Sequence, residues 1–316
     1  MSKLATHHDE HAITVLAPAE VIYDMIADVT RWPLTFTPTV HAEQLQRTGD
    51  EELIRLWALA NNEVKTWTSR RVLDRTGRRV RFRQEVSQPP VAAMGGEWVL
   101  EPLSERRTRV LLTHDFQAID DDPAGVDWIK KAVDRNSLSE LNRLKQAAEA
   151  AGDLAELTVS FEDSIQIDGG VDDVYAFLYA AKEWPRRLPH VARLDLTEDT
   201  PDIQVMEMDT TAANGSVHTT KSVRVCFPRS RIVYKQTELP ALMSAHIGEW
   251  SLHAQGGAVT ATSRHTVMIK RDAVAALLGE DATTREARDL VRQSLSKNSM
   301  TTLEHAKAFA ESRGRG

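Results

Sequence analysis

Two short segments of the chain place apolar side chains at the spacing of an amphipathic helix. The apolar positions are Val21, Ile22, Met25, Ile26 and Val29 in the first segment, and Val174, Phe177, Leu178 and Ala181 in the second. Each pattern stops just before a Trp-Pro pair, where proline disfavours a continued helix. The sequence therefore predicts two short helices that end in the same way.

Runs of strand-forming residues follow the first of these helices. Further strands are predicted in the first half at 52–60, 63–73, 79–86, 96–102 and 108–116, separated by turn signals at Asn61-Asn62, Thr76-Gly77 and Pro89-Pro90. An apolar strand also opens each half of the chain, at 11–16 and at 157–167. Strands joined by such short connections indicate an antiparallel meander.

A long amphipathic helix closes each half, at about 125–151 and about 283–312. In the first of these helices, the apolar stripe consists of Ile129, Val133, Leu141, Leu144 and Ala148. The predicted fold class is therefore α+β, with a curved antiparallel sheet wrapped around the last helix. A sheet curled around one helix leaves a cavity between them, which is the usual place for a ligand.

The two halves repeat each other at four places in the same order. Tyr23 and Trp32-Pro33 match Tyr175 and Trp184-Pro185, and residues 61–72 match residues 214–225. Gly96-Glu97-Trp98 matches Gly248-Glu249-Trp250, and residues 135–138 match residues 297–300. The first and third pairs lie 152 positions apart, and the last lies 162 apart because the second half carries an insert around 279–284. A repeat of this length is a whole domain rather than a solenoid unit. Two tandem domains are predicted, 1–152 and 153–316.

Composition narrows the class of protein. With 41% hydrophobic and 27% charged residues in 316, the chain reads as an ordinary globular protein. The single Cys226, the polar start and the absence of an apolar run of about 20 residues predict a cytoplasmic protein with no membrane insertion. The net charge of -7 argues against nucleic acid as a partner. His7, His8 and His11 have no counterpart in the second half, so no metal site is predicted.

The chain resembles the aromatase/cyclases of bacterial type II polyketide synthases in three motifs of each half. These motifs are ADVTRWPLTF, VKTWTSRRV and GGEW in the first half, and AAKEWPRRLPHV, VHTTKSVRV and IGEW in the second. These enzymes belong to the START and birch-allergen-like helix-grip superfamily. The two-domain form is similar to the subclass that closes and aromatises the first ring of a ketoreduced poly-β-keto chain. The resemblance implies two cavities, no cofactor, and partners that are an acyl carrier protein bearing the substrate and, transiently, other synthase subunits. A homodimer is left open.

The resemblance also places the site. The family's pocket tryptophan, serine and arginine correspond to Trp67, Ser69 and Arg71, and strand alternation puts them on one face with Lys65. On the equivalent face, the second half has His218, Thr220, Ser222 and Arg224, without the tryptophan. Gln84 and Gln236 stand where the family commonly has arginine. The remaining predicted substrate-binding residues are Trp32, Phe36, Met94, Trp98, Asn136, Trp184, His246, Trp250 and Asn298.

The residues suggest roles and also leave alternatives. Arg71 is expected to stabilise an oxyanion and Ser69 to hold a carbonyl or relay a proton, with Arg224 and Ser222 in the second half. Arg71 could instead be a surface arginine, and the tryptophans and Asn136 could serve packing or capping alone. His114 and His265 could be structural or carry protons. At the level of function, the alternative to an enzyme is a START-like carrier that binds a hydrophobic ligand without turnover.

Overall fold

A computed structural model describes residues 4–61, 63–211 and 215–313 of the chain. The chain divides into two compact units, 1–154 and 155–316. Two predicted turn residues, Asn62 and Asn214, lie outside the described residues. No helix among the described residues is both long enough and apolar enough to cross a membrane.

Unit 1 consists of seven strands and three helices. In chain order these are β1 (His7–Val15), α1 (Ala19–Ala27), α2 (Trp32–Thr35), β2 (Thr39–Thr48), β3 (Glu51–Ala60), β4 (Glu63–Asp74), β5 (Arg79–Val86), β6 (Val91–Ser104), β7 (Arg107–Ala118) and α3 (Pro123–Glu149). The strands form one antiparallel sheet in the order β1-β7-β6-β5-β4-β3-β2. The helix α3 packs against β1 and β7, and α1 packs against α3, β5 and β6.

Unit 2 repeats this arrangement. A short helix α4 (Leu154–Leu157) precedes it, followed by β8 (Thr158–Ile167), α5 (Val171–Tyr179), α6 (Trp184–Arg187), β9 (Val191–Thr200), β10 (Ile203–Thr211), β11 (Val217–Phe227), β12 (Arg231–Glu238), β13 (Met243–Gln255), β14 (Ala258–Ile269), α7 (Arg271–Leu278) and α8 (Thr284–Arg313). Its sheet has the order β8-β14-β13-β12-β11-β10-β9. The insert predicted around 279–284 lies next to α7, which has no counterpart in unit 1.

The predicted α+β class, with one antiparallel sheet and one long closing helix in each half, is confirmed. The strand β2 was not predicted, because its residues beyond Ala42 are largely polar and exposed and show no alternation. It is an edge strand, where one side needs no partner. The first strand begins four residues earlier than expected, because the polar residues at 7–10 pair with β7.

The hydrophobic core of unit 1 lies between the sheet and the helices α1 and α3. Fully buried side chains from α1 (Ile22 and Ile26), from β7 (Leu112) and from α3 (Leu144) meet there. Burial of each such side chain stabilises the unit by roughly 1.5–3 kcal/mol. A second, smaller cluster around Phe116 packs beneath the first turns of α3.

The glycine of each Gly-Glu-Trp motif lies under an aromatic ring from the neighbouring strand. A Cβ atom on Gly96 would lie 1.9 Å from the carbonyl oxygen of Thr113 and 2.7 Å from Cζ of Phe82. On Gly248 it would lie 2.1 Å from Cζ of Tyr234. Both glycines are therefore required for close approach of strand and ring, which explains why the motif occurs twice.

We expect Gly96→Ala to lower the free energy of unfolding of unit 1 by about 1–3 kcal/mol, because the sheet must move to admit the methyl group. Denaturant unfolding followed by tryptophan fluorescence would measure the change. Gly152→Ala is the control, since nothing lies within 4 Å of a Cβ there. Equal stability of the two variants would contradict the steric argument.

Candidate functional site

The inner face of β4 carries the predicted pocket residues of unit 1. Ser69 and Arg71 are buried, Arg70 between them is exposed, and Trp67 is partly buried against the core. Pairing between strands places Arg71 opposite Glu52 on β3 and Phe82 on β5, and Phe82 opposite Gly96 on β6. The alternation of β4 therefore brings Trp67, Ser69 and Arg71 to the side of the sheet that faces the helices.

The guanidinium group of Arg71 is hydrogen-bonded to the C-terminal end of helix α1. Its Nη2 donates to the carbonyl oxygens of Ile26 (2.9 Å) and Ala27 (3.2 Å), and its Nε lies 3.3 Å from Oε1 of Glu52. The guanidinium also stacks over Trp32 at 5.0 Å. Burial lowers the pKa of Arg71 to about 10, so the side chain remains charged at neutral pH. These contacts satisfy carbonyl oxygens at the C-terminal end of α1, where the oxygen of Ile26 also accepts from the indole N–H of Trp32.

This geometry excludes one of the two sequence-based interpretations of Arg71, and the oxyanion role stays a prediction. With 1% of its surface exposed, Arg71 is not a surface arginine. Of the three guanidinium nitrogens of Arg71, Nη1 has neither a hydrogen bond nor an ion pair among the described residues. Stabilisation of an oxyanion would therefore fall to Nη1. The arrangement supports a positioning role, in which Arg71 holds α1 against the sheet.

Arg224 repeats the arrangement in unit 2 with a neutral partner. It is 1% exposed, donates to the carbonyl oxygen of Leu178 (2.6 Å) at the end of α5 and stacks over Trp184 at 5.2 Å. Gln204 takes the place of Glu52 opposite the arginine. The repeated Trp-Pro and Ser-x-Arg motifs thus have a shared structural explanation, a guanidinium held between a tryptophan and a helix end.

Most of the other predicted aromatic residues are core residues. Phe36 stacks on Trp98 at 6.0 Å and meets Trp32 edge-on at 5.2 Å, and all three are buried. Trp184 and Trp250 are buried in the same way in unit 2. Trp32 and Trp184 also donate their indole N–H groups to helix carbonyl oxygens. Only Trp67 keeps part of its ring outside the packed core, so it is the aromatic residue best placed to touch a ligand.

Three further predicted residues of unit 1 are partly buried on the inner side. Nε2 of Gln84 lies 3.6 Å from Sδ of Met94, and Oε1 of Gln84 accepts a hydrogen bond from the hydroxyl group of Ser87 (2.7 Å). Asn136 donates to the carbonyl oxygen of Leu59 (3.0 Å), so its amide ties α3 to β3. Gln84 and Met94 therefore contact each other between β5 and β6.

Glu140 on α3 was missed by the sequence analysis. It lies seven residues after Val133 and four before Leu144, at the centre of the face that α3 turns towards the sheet. Among the described residues no hydrogen bond or ion pair reaches its carboxyl group, and burial alone raises its pKa to about 8. Its place on the apolar stripe of α3, between Ser137 and Leu144, was the available signal.

Two polar groups on the same side of unit 1 also lack protein partners. The hydroxyl of Ser137, one turn before Glu140, and Nδ1 of His114 on β7 are both buried without a hydrogen bond among the described residues. Burial lowers the pKa of His114 to about 4, so this imidazole is neutral at pH 7. Unpaired buried polar groups are uncommon and tend to cluster where a ligand completes them. Together with Glu140 they make the inner side of unit 1 the candidate active site.

The predicted face of unit 2 is only partly internal. Thr220, Ser222 and Arg224 are buried, whereas His218 is exposed and contacts Ser216 (3.2 Å), so its assignment to the pocket stays a prediction. It is the second residue of β11 and pairs with Thr210 on β10. Gln236 is partly buried, and its Oε1 has no partner among the described residues.

The helix α8 carries the counterparts of the α3 residues. Asn298 is partly buried, and its backbone carbonyl oxygen accepts a hydrogen bond from the hydroxyl group of Thr302 (3.0 Å). Thr302 occupies the position of Glu140, so unit 2 has no carboxyl group there. The two candidate pockets therefore differ in chemistry as well as in their tryptophan.

The three N-terminal histidines do not converge. The His7 ring stacks on Phe116 at 5.3 Å, His8 is exposed, and Nε2 of His11 lies 3.0 Å from Oδ1 of Asp134. Within the described ranges no three histidine, cysteine, aspartate or glutamate side chains are grouped as a metal site would require.

Comparisons with known proteins give one consistent result. Residues 15–125 match the family model described as polyketide cyclase / dehydrase and lipid transport. The granaticin polyketide synthase bifunctional cyclase/dehydratase of Streptomyces violaceoruber is 44% identical over 306 residues, covering 96% of this chain and 94% of that protein. The actinorhodin polyketide synthase bifunctional cyclase/dehydratase of Streptomyces coelicolor is 43% identical over 320 residues, covering 98% and 99%.

Two solved structures match over nearly the whole chain. The di-domain ARO/CYC BexL from the BE-7585A biosynthetic pathway has a TM-score of 0.86 at 50% identity, covering 96% of this chain and 99% of that chain. The di-domain ARO/CYC StfQ from the steffimycin biosynthetic pathway has a TM-score of 0.84 at 38% identity, covering 98% and 100%.

Proposed function

The chain belongs to the family of polyketide synthase bifunctional cyclase/dehydratases, and we propose that unit 1 closes and dehydrates the first ring of a poly-β-keto chain. The observation that carries this proposal is the unpaired carboxyl group of Glu140, partly buried on the sheet-facing side of α3. A cyclase needs a shaped pocket and a dehydratase needs a proton source. Unit 1 contains side chains suited to both.

The family assignment confirms the predicted fold and enzyme class. The chain is an enzyme of polyketide synthesis, a cyclase and dehydratase with two helix-grip domains. The description of the family model includes lipid transport, but the full-length relatives are named as cyclase/dehydratases. The family therefore favours turnover over the carrier alternative. We place the functional domains at 1–152 and 153–316, with the boundary between α3 and β8.

In the proposed reaction, the pocket first fixes one conformation of the chain. Trp67 supplies a flat apolar wall, and Gln84 and Asn136 offer amide groups to chain carbonyls. Proximity of an acidic methylene to a distant carbonyl carbon is the main requirement, and fixing such a geometry can contribute about 7–11 kcal/mol. The methylene loses a proton, the new C–C bond forms, and the former carbonyl oxygen becomes a hydroxyl group.

Dehydration then needs a proton at that hydroxyl group. The neutral carboxyl of Glu140 donates it, the C–O bond breaks, and water leaves. The Glu140 carboxylate regains its proton from the adjacent methylene, whose electron pair forms the C=C bond. The net change is the loss of one water molecule, with no cofactor required. A raised pKa suits an acid that must be protonated at neutral pH.

We propose that the substrate reaches the pocket on an acyl carrier protein and has already been reduced by a ketoreductase, in an antibiotic-type aromatic pathway. Support comes from the family resemblance of the whole chain and from the pathways named for the two solved relatives. A tethered chain must enter by its free end, and an inner pocket closed by a long helix suits such a substrate.

Trp67→Thr tests the proposed pocket, because Thr220 is the natural residue at this position in unit 2. Loss of the apolar wall should leave the chain free to fold in several ways, so we expect the native first-ring product to fall about tenfold while shunt products rise. The measurement is product analysis after reconstitution with a minimal polyketide synthase and a ketoreductase.

Arg70→Gln, at an exposed position on the opposite face of β4, is the control variant, and it should leave the product profile at wild type. If Trp67→Thr gives the wild-type profile, unit 1 does not shape the chain. If the wild-type protein does not change the products of the synthase and ketoreductase at all, the proposed function is wrong.

A further inference from the structure

Unit 2 buries a chain of hydrogen-bonded side chains between its sheet and α8. Nε2 of His246 lies 3.0 Å from Nδ1 of His265, and Nε2 of His265 lies 2.7 Å from Oγ of Ser299 and 3.1 Å from Oγ of Ser263. The hydroxyl of Tyr234 lies 3.3 Å from Nδ1 of His265. His246 and His265 are only 1% and 2% exposed, so this network lies on the inner side of unit 2.

Unit 1 has apolar side chains at three of the five network positions and keeps a histidine and a serine, His114 and Ser137, at the other two. In unit 2, strand pairing puts Tyr234, Gly248 and His265 in one row across the sheet, with His246 two residues before Gly248. The equivalent row of unit 1 is Phe82, Gly96 and His114, with Met94 two residues before Gly96 and Leu112 in the place of Ser263. The fold itself therefore does not need a polar network here.

A buried polar network lowers stability unless every member is paired. One member of this network is not paired, because Nδ1 of His246 is buried and has no hydrogen bond among the described residues. A methionine would pack in the same place without this cost, as Met94 does in unit 1. The unpaired nitrogen thus indicates a role in binding a group that can complete it.

One assignment of the protons satisfies these contacts and leaves Nδ1 of His246 as an acceptor. Burial lowers the pKa of His265 to about 4 and the pKa of His246 well below its usual value, so both rings are neutral at pH 7. The contact between the rings needs one N–H. If His246 donates it from Nε2, His265 accepts at Nδ1 and donates from its own Nε2 to Ser299. That arrangement leaves a lone pair on Nδ1 of His246, in the form of a base.

We infer that unit 2 is a second proton-transfer site, in which Nδ1 of His246 takes a proton from an acidic C–H or enol O–H of a polycarbonyl chain. The inference rests on the proposed function, since it assigns a step on the same class of substrate. The C–H bond breaks, its electron pair moves to the neighbouring carbonyl oxygen, and the proton joins Nδ1. The hydrogen bond to His265 spreads the charge over both rings, and the proton later leaves with a departing hydroxyl group as water.

Two substitutions of His246 test this assignment. His246→Met copies unit 1, and His246→Gln keeps a hydrogen-bonding group beside His265 but cannot act as a base. We expect each to slow formation of the fully aromatised product roughly 100-fold in the reconstituted system, with unit 2 still folded. His253→Gln, an exposed histidine on the same strand β13, should match wild type. Wild-type rates in both His246 variants would overturn the inference and leave the function of unit 1 intact.

A measurement independent of turnover uses 15N-histidine NMR of the full chain with 1-naphthol as an O–H donor. Binding should shift the unprotonated nitrogen resonance of His246, which the His246→Met spectrum identifies by its absence. If the His246 resonance does not respond at naphthol concentrations that saturate the protein, the site does not accept such a proton donor. That result would overturn the inference whether or not the protein forms aromatic product.

Discussion

Arg71→Ala is expected to lower the free energy of unfolding of unit 1 by about 3–5 kcal/mol, because it removes one partner of a buried ion pair. The variant leaves the Glu52 carboxylate, itself 1% exposed, with Gln44 as its remaining partner at 2.5 Å. It also removes the hydrogen bonds to the carbonyl oxygens of Ile26 and Ala27, of which only Ile26 keeps a side-chain donor, the indole N–H of Trp32. Denaturant unfolding of the full chain, followed by tryptophan fluorescence, would show unit 1 melting earlier.

Arg224→Ala is the matched variant in unit 2. Its opposite residue, Gln204, is neutral, and the Glu198 carboxylate that interacts with Arg224 keeps hydrogen bonds from Gln204 and Tyr179, so the loss should be smaller, about 1–3 kcal/mol. If the two variants lose equal stability, the charge of Glu52 does not contribute as argued. Glu52→Gln copies unit 2 and should restore part of the stability in the double variant Glu52→Gln/Arg71→Ala.

The expected instability changes how an activity measurement on Arg71 must be interpreted. Loss of ring formation in Arg71→Ala would follow from a displaced α1 even if the guanidinium never touched the substrate. Sequence alone favoured a catalytic arginine, partly because Arg224 repeats it. The structure gives a different reason for the repeat, since each arginine holds a helix end and a tryptophan in its own unit.

The periodic features of the sequence were sufficient to predict the architecture. Alternation along β4 placed Ser69 and Arg71 inside, and the repeated motifs marked two equivalent units. Period and spacing depend on local geometry, which the sequence carries directly. The edge strand β2 lacked such a period and was missed for that reason.

The chemistry of the site could not be predicted in the same way. Trp67 and Trp98 look alike in sequence, but only Trp98 is fully packed, because that depends on Phe36 and on the helices above it. The acceptors of Arg71 are carbonyl oxygens more than forty residues earlier in the chain. Glu140 reads as a polar position on a surface helix until α3 is seen to turn that position towards the sheet.

Glu140→Gln is expected to reduce formation of the dehydrated ring by about 10²–10⁴-fold, because an amide cannot donate the proton that the leaving hydroxyl group needs. The ring-closed but hydrated intermediate, or shunt products from it, should accumulate in the reconstituted system. Asp127→Asn, an exposed carboxylate on the same helix paired with Lys131, is the control and should match wild type. Normal dehydration by Glu140→Gln would exclude Glu140 as the acid.

The same substitution should make unit 1 more stable at high pH. Glu140 has a folded pKa of about 8 against an ordinary value of 4.5, so between these pH values the folded protein holds a proton that the unfolded chain has lost. Wild-type stability therefore falls as pH rises from about 4.5 to about 8, whereas Glu140→Gln lacks this dependence and should gain roughly 1–3 kcal/mol at pH 8. Wild-type dehydration should decline over the same upper range, as the carboxyl group loses its proton. A variant that is less stable than wild type at pH 8 would show that the carboxylate is paired, and the proposed acid would then be ionised at neutral pH.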